Sequence, residues 1–216
     1  MTQVAVVDYG MGNLRSVAKA LEFVGAAEVR ITDDAEVIAA AERVVFPGQG
    51  AVRDCMSALQ RHELVDVLRQ TIADRPFLGV CMGMQALLTR SEENEGVAAL
   101  DLMPGLVRHF RGLTGGDPAL KIPHMGWNGV HQVRAHPLWA DIEDGARFYF
   151  VHSYYVEPRD AAMIYGETEY GAPFASAIGQ GNAFATQFHP EKSQRAGLQL
   201  LRNFLRWDGT TKASQS

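Results

Sequence analysis

Short apolar runs, each closed by a turn and followed by a helical period, constrain this chain more than any other feature. Val4-Ala5-Val6-Val7 runs into Asp8-Tyr9-Gly10-Met11-Gly12-Asn13. Arg43-Val44-Val45-Phe46 ends at Pro47-Gly48, and Phe77-Leu78-Gly79-Val80 ends at Cys81. Continuous apolar runs of this length are strands buried on both faces, which requires a parallel sheet covered by helices. The covering helices are legible between them. Leu14, Val17, Ala18, Leu21 and Val24 recur at the spacing of one helix face and stop at Gly25. A short helix fits Asp33 to Ala41, another runs from about Glu63 to Ala73, and Met82 to Thr89 forms a further one. Val29-Arg30-Ile31 is a weaker strand. The expected fold class is α/β, a mostly parallel central sheet flanked by helices.

The second half reads differently. From Gly105 to Ala185 it is rich in strands and turns, with Leu106–Phe110, Arg147–Val151 and Phe174–Ile178 as strands and Gly179-Gln180-Gly181-Asn182 as a hairpin loop. An added antiparallel region is therefore expected. Leu198, Leu201, Phe204 and Leu205 mark a closing amphipathic helix. Residues 1–207 are expected to form one domain and 208–216 a flexible tail.

Composition narrows the function classes. With 216 residues, 47% hydrophobic and 21% charged, the chain can bury a sizeable core and is not a disordered or collagenous sequence. A net charge of −5 gives no global attraction to nucleic acid or to an anionic membrane. No apolar run reaches the ~18 residues of a membrane span. The start carries no basic and apolar leader pattern, so a cytoplasmic, reduced protein is expected. Two cysteines make neither a disulfide framework nor a zinc-knuckle pattern, and His124, His131 and His136 lack helical ligand spacing, so no metal site is expected. Gly10-Met11-Gly12 lacks the third glycine of a dinucleotide fingerprint and is expected to be a tight loop after the first strand.

The segment that carries chemistry is Gly79-Val80-Cys81-Met82-Gly83-Met84-Gln85. A cysteine stands between a buried strand and a helix, with glycine two residues before and two after. This is the layout of a nucleophile elbow: the glycines allow a tight turn, and the free N–H groups of the helix start favour a thiolate and an oxyanion. The pattern by itself leaves open that Cys81 is a small buried hydrophobe. A thiol nucleophile needs a base and an orienter. His189, in Gln187-Phe188-His189-Pro190-Glu191, is the candidate base, and Glu191 can sit beside its ring. Cys55 has neither an elbow nor a base and is assigned to packing.

Together these segments resemble the triad-type class I glutamine amidotransferases. Gly79–Gln85 is similar to that family's nucleophile motif, Phe188-His189-Pro190-Glu191 to its His-Pro-Glu motif, and Phe46-Pro47-Gly48-Gln49-Gly50-Ala51 to its oxyanion strand and loop. Asp8–Leu14, Pro123-His124-Met125-Gly126-Trp127-Asn128, Tyr149–Tyr155 and His189–Ser193 resemble, more narrowly, the glutaminase subunits of imidazole glycerol phosphate synthase. Gln49 and Val52 depart from the family's common residues in loop detail.

The resemblance implies a flavodoxin-like fold with Cys81, His189 and Glu191 as the catalytic triad. It implies oxyanion donors at Met82 and at Gln49 or Gly50, and no cofactor. Gln85, one helical turn past Cys81, is expected to contact the amino-acid end of L-glutamine. His152, Ser153 and Tyr154 are candidate substrate contacts, with packing an equal reading for each. The implied partner is a separate cyclase chain that takes up ammonia to form imidazole glycerol phosphate and an aminoimidazole carboxamide ribonucleotide. Asn13, Met125, Trp127 and Lys192 are the candidate interface. Three other readings remain open: a glutaminase for anthranilate, carbamoyl phosphate or guanylate synthesis, a standalone γ-glutamyl cysteine hydrolase, and a non-catalytic binding module.

Overall fold

A computed structural model describes residues 3–113, 115 and 120–210 of the chain. In chain order the first half contains β1 (Gln3–Val7), α1 (Leu14–Phe23), β2 (Glu28–Thr32), α2 (Ala35–Ala40), β3 (Arg43–Gly48), α3 (Val52–Arg61), α4 (Val65–Asp74), β4 (Phe77–Cys81) and α5 (Met82–Ala86). The second half contains β5 (Arg90–Ser91), β6 (Val97–Ala98), β7 (Gly105–His109), α6 (Phe110–Leu113), β8 (His124–Gly129) and β9 (His131–Gln132). It continues with β10 (Arg147–His152), β11 (Tyr154–Pro158), β12 (Ile164–Glu169), β13 (Pro173–Gln180), β14 (Ala183–Thr186) and α7 (Gln194–Arg206).

The main sheet has the order β2-β1-β3-β4-β14-β13-β11-β7-β5-β6, with β12 and β9 branching from β13. β2, β1, β3, β4 and β14 run parallel. Beyond β14 the sheet turns antiparallel through β13, β11 and β7. The α/β class and the added antiparallel region are both as expected. β8 and β10 form a separate antiparallel ribbon.

Strand alternation builds the two cores. Ala5, Val7, Val44 and Phe46 pack on one side of the parallel sheet. Val4, Val6, Val45, Leu78 and Val80 pack on the other. Each buried Val, Leu or Phe among them is worth roughly 1.5–3 kcal/mol, and this double coverage makes the strands uninterrupted apolar runs.

Three local expectations are corrected, and one helix appears where none was expected. α3 was not anticipated; it buries Val52, Cys55, Ala58 and Leu59. α5 stops at Ala86, short of Thr89, and the chain turns back so that Leu100, Leu102 and Met103 hydrogen-bond to its end. β13 continues through Gln180, so the hairpin turn is the pair Gly181-Asn182. The expected tail divides: Asp208 and Thr210 fold back together, with Thr210 accepting the Trp207 indole, and residues 211–216 lie outside the described part.

Candidate active site

The site lies where the C-terminal ends of three adjacent parallel strands meet, as ligand sites in parallel α/β sheets commonly do. β3 supplies the loop at Gln49 and Gly50, β4 supplies Cys81, and the segment after β14 supplies His189. Cys81 sits between β4 and α5 with φ 55° and ψ −105°. This region is sparsely populated for an L-residue, and holding one there costs on the order of 1–3 kcal/mol. The turn is held by close approaches. A Cβ on Gly83 would stand 1.8 Å from the Phe46 carbonyl oxygen, and one on Gly48 would stand 2.0 Å from the Tyr9 hydroxyl. Only glycine lets β3, β4 and α5 approach this closely. Tyr9 is buried, donates its hydroxyl to the Pro47 carbonyl at 3.0 Å and packs on Phe46. The loop after β1 therefore supports the end of β3. Because α5 has only five residues, what it contributes is the unpaired N–H groups of its first turn.

His189 and Glu191 are both buried, their side chains 3% exposed. His189 Nδ1–H donates to Glu191 Oε1 at 2.9 Å, which turns Nε2 away from the carboxylate. Nε2 is buried and has no hydrogen-bond partner among the described residues. Burial alone would disfavour charge on this ring. The Cys81 sulfur and the Glu191 carboxylate outweigh it and raise its pKa to about 10. The ring is thus suited to hold a proton opposite a thiolate. The main chain is anchored as well: His189 N–H donates to the Tyr149 carbonyl, and Ser193 Oγ–H donates to the His189 carbonyl.

Cys81, His189, Met82, Gln49, Gly50, Gln85, Ser153 and Tyr154 all line one cavity of about 500 Å³. Glu93 and Lys192 supply its charged groups, and both were missed as cavity residues in the sequence. Glu93 Oε2 accepts the Val52 N–H at 2.8 Å, which fixes the carboxylate. Gln187 was missed too, although it stands two residues before His189. It is fully buried, accepts from Gln85 at 3.0 Å and donates to Cys81 Sγ at 3.6 Å. His152 reaches the cavity wall, but Nδ1 is bonded to the Tyr154 carbonyl and Nε2 to His124. It keeps no side-chain polar atom for a ligand, which favours packing of the two readings given for it.

Trp127 and Lys192 both meet the Tyr149 ring. Trp127 stands edge-on at 6.3 Å, and the Lys192 ammonium lies 5.9 Å above the ring centre. Met125 is 64% exposed and shares a strand face with Trp127. Asn13 is exposed on the loop whose Gly12 packs against Gly48. Lys192 is therefore a cavity residue as well as an interface candidate. Cys55 is fully buried against Tyr9, and burial pushes its thiol up to about 12, which suits packing. Among the described residues no group of three or more His, Cys, Asp or Glu side chains is placed to hold a metal ion, and no helix is long and apolar enough to cross a membrane.

Comparison with known proteins agrees with this geometry. The family model "Glutamine amidotransferase class-I" matches residues 5–207. The imidazole glycerol phosphate synthase subunit HisH 1 of Pseudomonas aeruginosa is 58% identical over 210 residues, covering 97% of this chain and 99% of its own. The HisH subunit of Nitrosococcus oceani is 56% identical over 212 residues, covering 98% and 100%. By that family match and these identities, the chain is a class I glutamine amidotransferase and belongs to the HisH family within that class. Solved structures share the fold at low identity. PurLQS from Thermotoga maritima superposes with a TM-score of 0.69 at 18% identity, covering 95% of this chain and 98% of its own. The glutaminase domain of Trypanosoma brucei CTPS, solved with bound acivicin, gives 0.60 at 17%, covering 100% and 98%.

Proposed function

We propose that this chain is the glutaminase subunit of an imidazole glycerol phosphate synthase, acting in the cytoplasm in histidine biosynthesis, and that its cavity hydrolyses L-glutamine. The single observation that carries the reading is a cysteine held at a strand tip in one cavity with a buried, carboxylate-oriented histidine. Cys81 Sγ attacks the carboxamide carbon. His189 takes up the thiol proton and returns it to the leaving nitrogen, which departs as ammonia, leaving a γ-glutamyl thioester. Water, deprotonated by His189, then hydrolyses the thioester to glutamate. Glu191 holds the ring and balances its charge. Both tetrahedral intermediates carry an oxyanion, for which the Met82 N–H and the amide at Gln49 or Gly50 are the donors.

The other end of the substrate is zwitterionic and needs both charges matched. Glu93 brings a carboxylate to the cavity wall, held in place by the Val52 N–H, and suits the α-ammonium. Gln85, Ser153 and Tyr154 line the same cavity. Ammonia passes to a cyclase subunit docked over Asn13, Met125, Trp127 and Lys192, forming a heterodimer. Of these, Trp127 is of a residue type enriched at interface hot spots. No cofactor, membrane or nucleic acid enters the reading. The test is glutamine hydrolysis by the purified chain with and without the cyclase and its nucleotide. A sharp rise only with both supports the assignment; full activity alone, unchanged by the cyclase, overturns it.

A further inference from the structure

We propose that His124 and His152 are positioning residues for glutamine binding, forming with Asn128 a neutral, proton-ordered relay that fixes the Tyr154 carbonyl and, through it, the direction of the Gln85 carboxamide. This rests on the glutaminase reading of the cavity and names residues behind its wall.

The proton order follows from the ends of the relay. The Tyr154 carbonyl can only accept, so the 2.7 Å contact from His152 Nδ1 requires a proton on that nitrogen. A neutral His152 then offers Nε2 as an acceptor. His124 Nδ1, 3.0 Å away, must donate to it. His124 Nε2 is left as an acceptor and takes a proton from Asn128 Nδ2 at 3.3 Å. Asn128 is itself fixed, because its Oδ1 accepts the Gly129 N–H and its other amide hydrogen goes to the Glu169 carbonyl. Burial holds both rings neutral, His124 near pKa 4 and His152 near 3.

At the far end, Gln85 Nε2 donates to the same Tyr154 carbonyl at 3.3 Å and to Gln187 Oε1 at 3.0 Å. With both amide hydrogens engaged, Gln85 Oε1 is the atom left for the cavity. The residue therefore presents an acceptor, which fits an ammonium or amide donor on the ligand. The competing reading is plain aromatic packing, since His124 stacks on Phe150 and Tyr170 and His152 lies against Phe110 and Phe174.

The two readings predict opposite substitution patterns. Phenylalanine keeps ring packing and removes the hydrogen bonds, whereas asparagine keeps a donor at the Nδ1 position and loses ring volume. In the complex with the cyclase, His152→Phe should raise the KM for glutamine about tenfold, the worth of about one buried neutral hydrogen bond, with kcat changed far less. His152→Asn should stay within about threefold of the parent on both constants, since the donor to Tyr154 is retained. Tolerance of phenylalanine with damage from asparagine overturns the proposal, as does equal behaviour of the two. The same pair at His124 repeats the test should either His152 variant fail to fold. Long-range proton–nitrogen spectra of the histidine-labelled parent chain give a reading independent of any variant: both rings should be neutral and protonated at Nδ1, and a ring protonated at Nε2 overturns the relay. A parent complex that neither binds nor hydrolyses glutamine instead removes the functional reading, and leaves the tautomer result standing on its own.

Discussion

Replacing Gly83 with alanine probes how tightly the nucleophile turn is built. The new Cβ would stand 1.8 Å from the Phe46 carbonyl oxygen and 2.9 Å from its carbon, whereas real Cβ contacts essentially never fall under 3.0 Å. β3 and α5 must therefore separate by about 3.0 − 1.8 = 1.2 Å. Both neighbours are backbone, so no side chain can rotate away. The strain of such overpacking is typically about 1–3 kcal/mol, which a chain of this size survives. The catalytic cost is larger. The Met82 amide lies on the α5 side of the contact and the Gln49–Gly50 loop on the β3 side, so the gap opens between the two halves of the proposed oxyanion site. A misplacement of about 1 Å near reacting groups costs about 100-fold, and loss of one oxyanion donor costs about 100- to 1,000-fold in kcat. Gly83→Ala should thus lower kcat for glutamine in the cyclase complex by at least about 100-fold, with a urea midpoint that falls but a transition that stays cooperative. Gly112→Ala is the control, because a Cβ there meets nothing within 4 Å. A Gly83→Ala chain within about threefold of parental kcat, a change of under 1 kcal/mol, would refute the claim that this contact sets the geometry.

Three further outcomes follow from the same site. Cys81→Ala should abolish glutamine turnover while leaving far-ultraviolet dichroism and the urea midpoint near parental values; turnover by a folded mutant removes Cys81 as nucleophile. Lys192→Glu should weaken cyclase binding or coupling more than it lowers thermal stability, and unchanged binding and coupling in titration calorimetry and coupled assays would strike Lys192 from the interface. His124, His136 and His152 are buried neutral, with pKa values pushed down by burial to about 4, 4 and 3. The unfolded chain takes up protons at these rings below about pH 6.5 and the folded chain does not, so stability present above that pH is lost as pH falls, by about 2 kcal/mol per ring at pH 5. His189 works in the other direction: its contribution is full below about pH 6.5 and fades as pH rises towards 10. Urea midpoints measured from pH 4.5 to 9 should show both arms, and a flat acid arm would mean the three rings are not neutral in the fold.

The parallel half of the sheet was legible because its strands are buried on both faces, which writes the fold into consecutive residues such as Val44, Val45 and Phe46. The turns that carry Cys81 and His189 were legible because glycine and proline mark backbone that must turn sharply, as around Cys81 and at Pro190. α3 does carry a signal in its own residues: Val52, Cys55, Met56 and Leu59 recur at i, i+3, i+4 and i+7, directly after the Gln49–Gly50 loop. β8 carries none. His124-Met125-Gly126-Trp127-Asn128-Gly129 contains no apolar run, and only its pairing with β10 makes it a strand. The hydrogen bonds behind the cavity were out of reach for the same reason. His124 meets His152 across 28 residues and Gln85 meets Gln187 across 102, and neither partner's local pattern implies the other.

The backbone at Cys81 sets stability and chemistry against each other. Its φ of 55° with ψ −105° is a conformation glycine adopts without penalty and cysteine does not. Of all residues that could stand at the tip of β4, the one best suited to the fold is the one with no side chain to do the work. A Cys81→Gly chain should melt higher than its parent and hydrolyse nothing. A laboratory selection for thermal resistance alone would drift towards that dead form, and only a demand for turnover keeps a thiol in place.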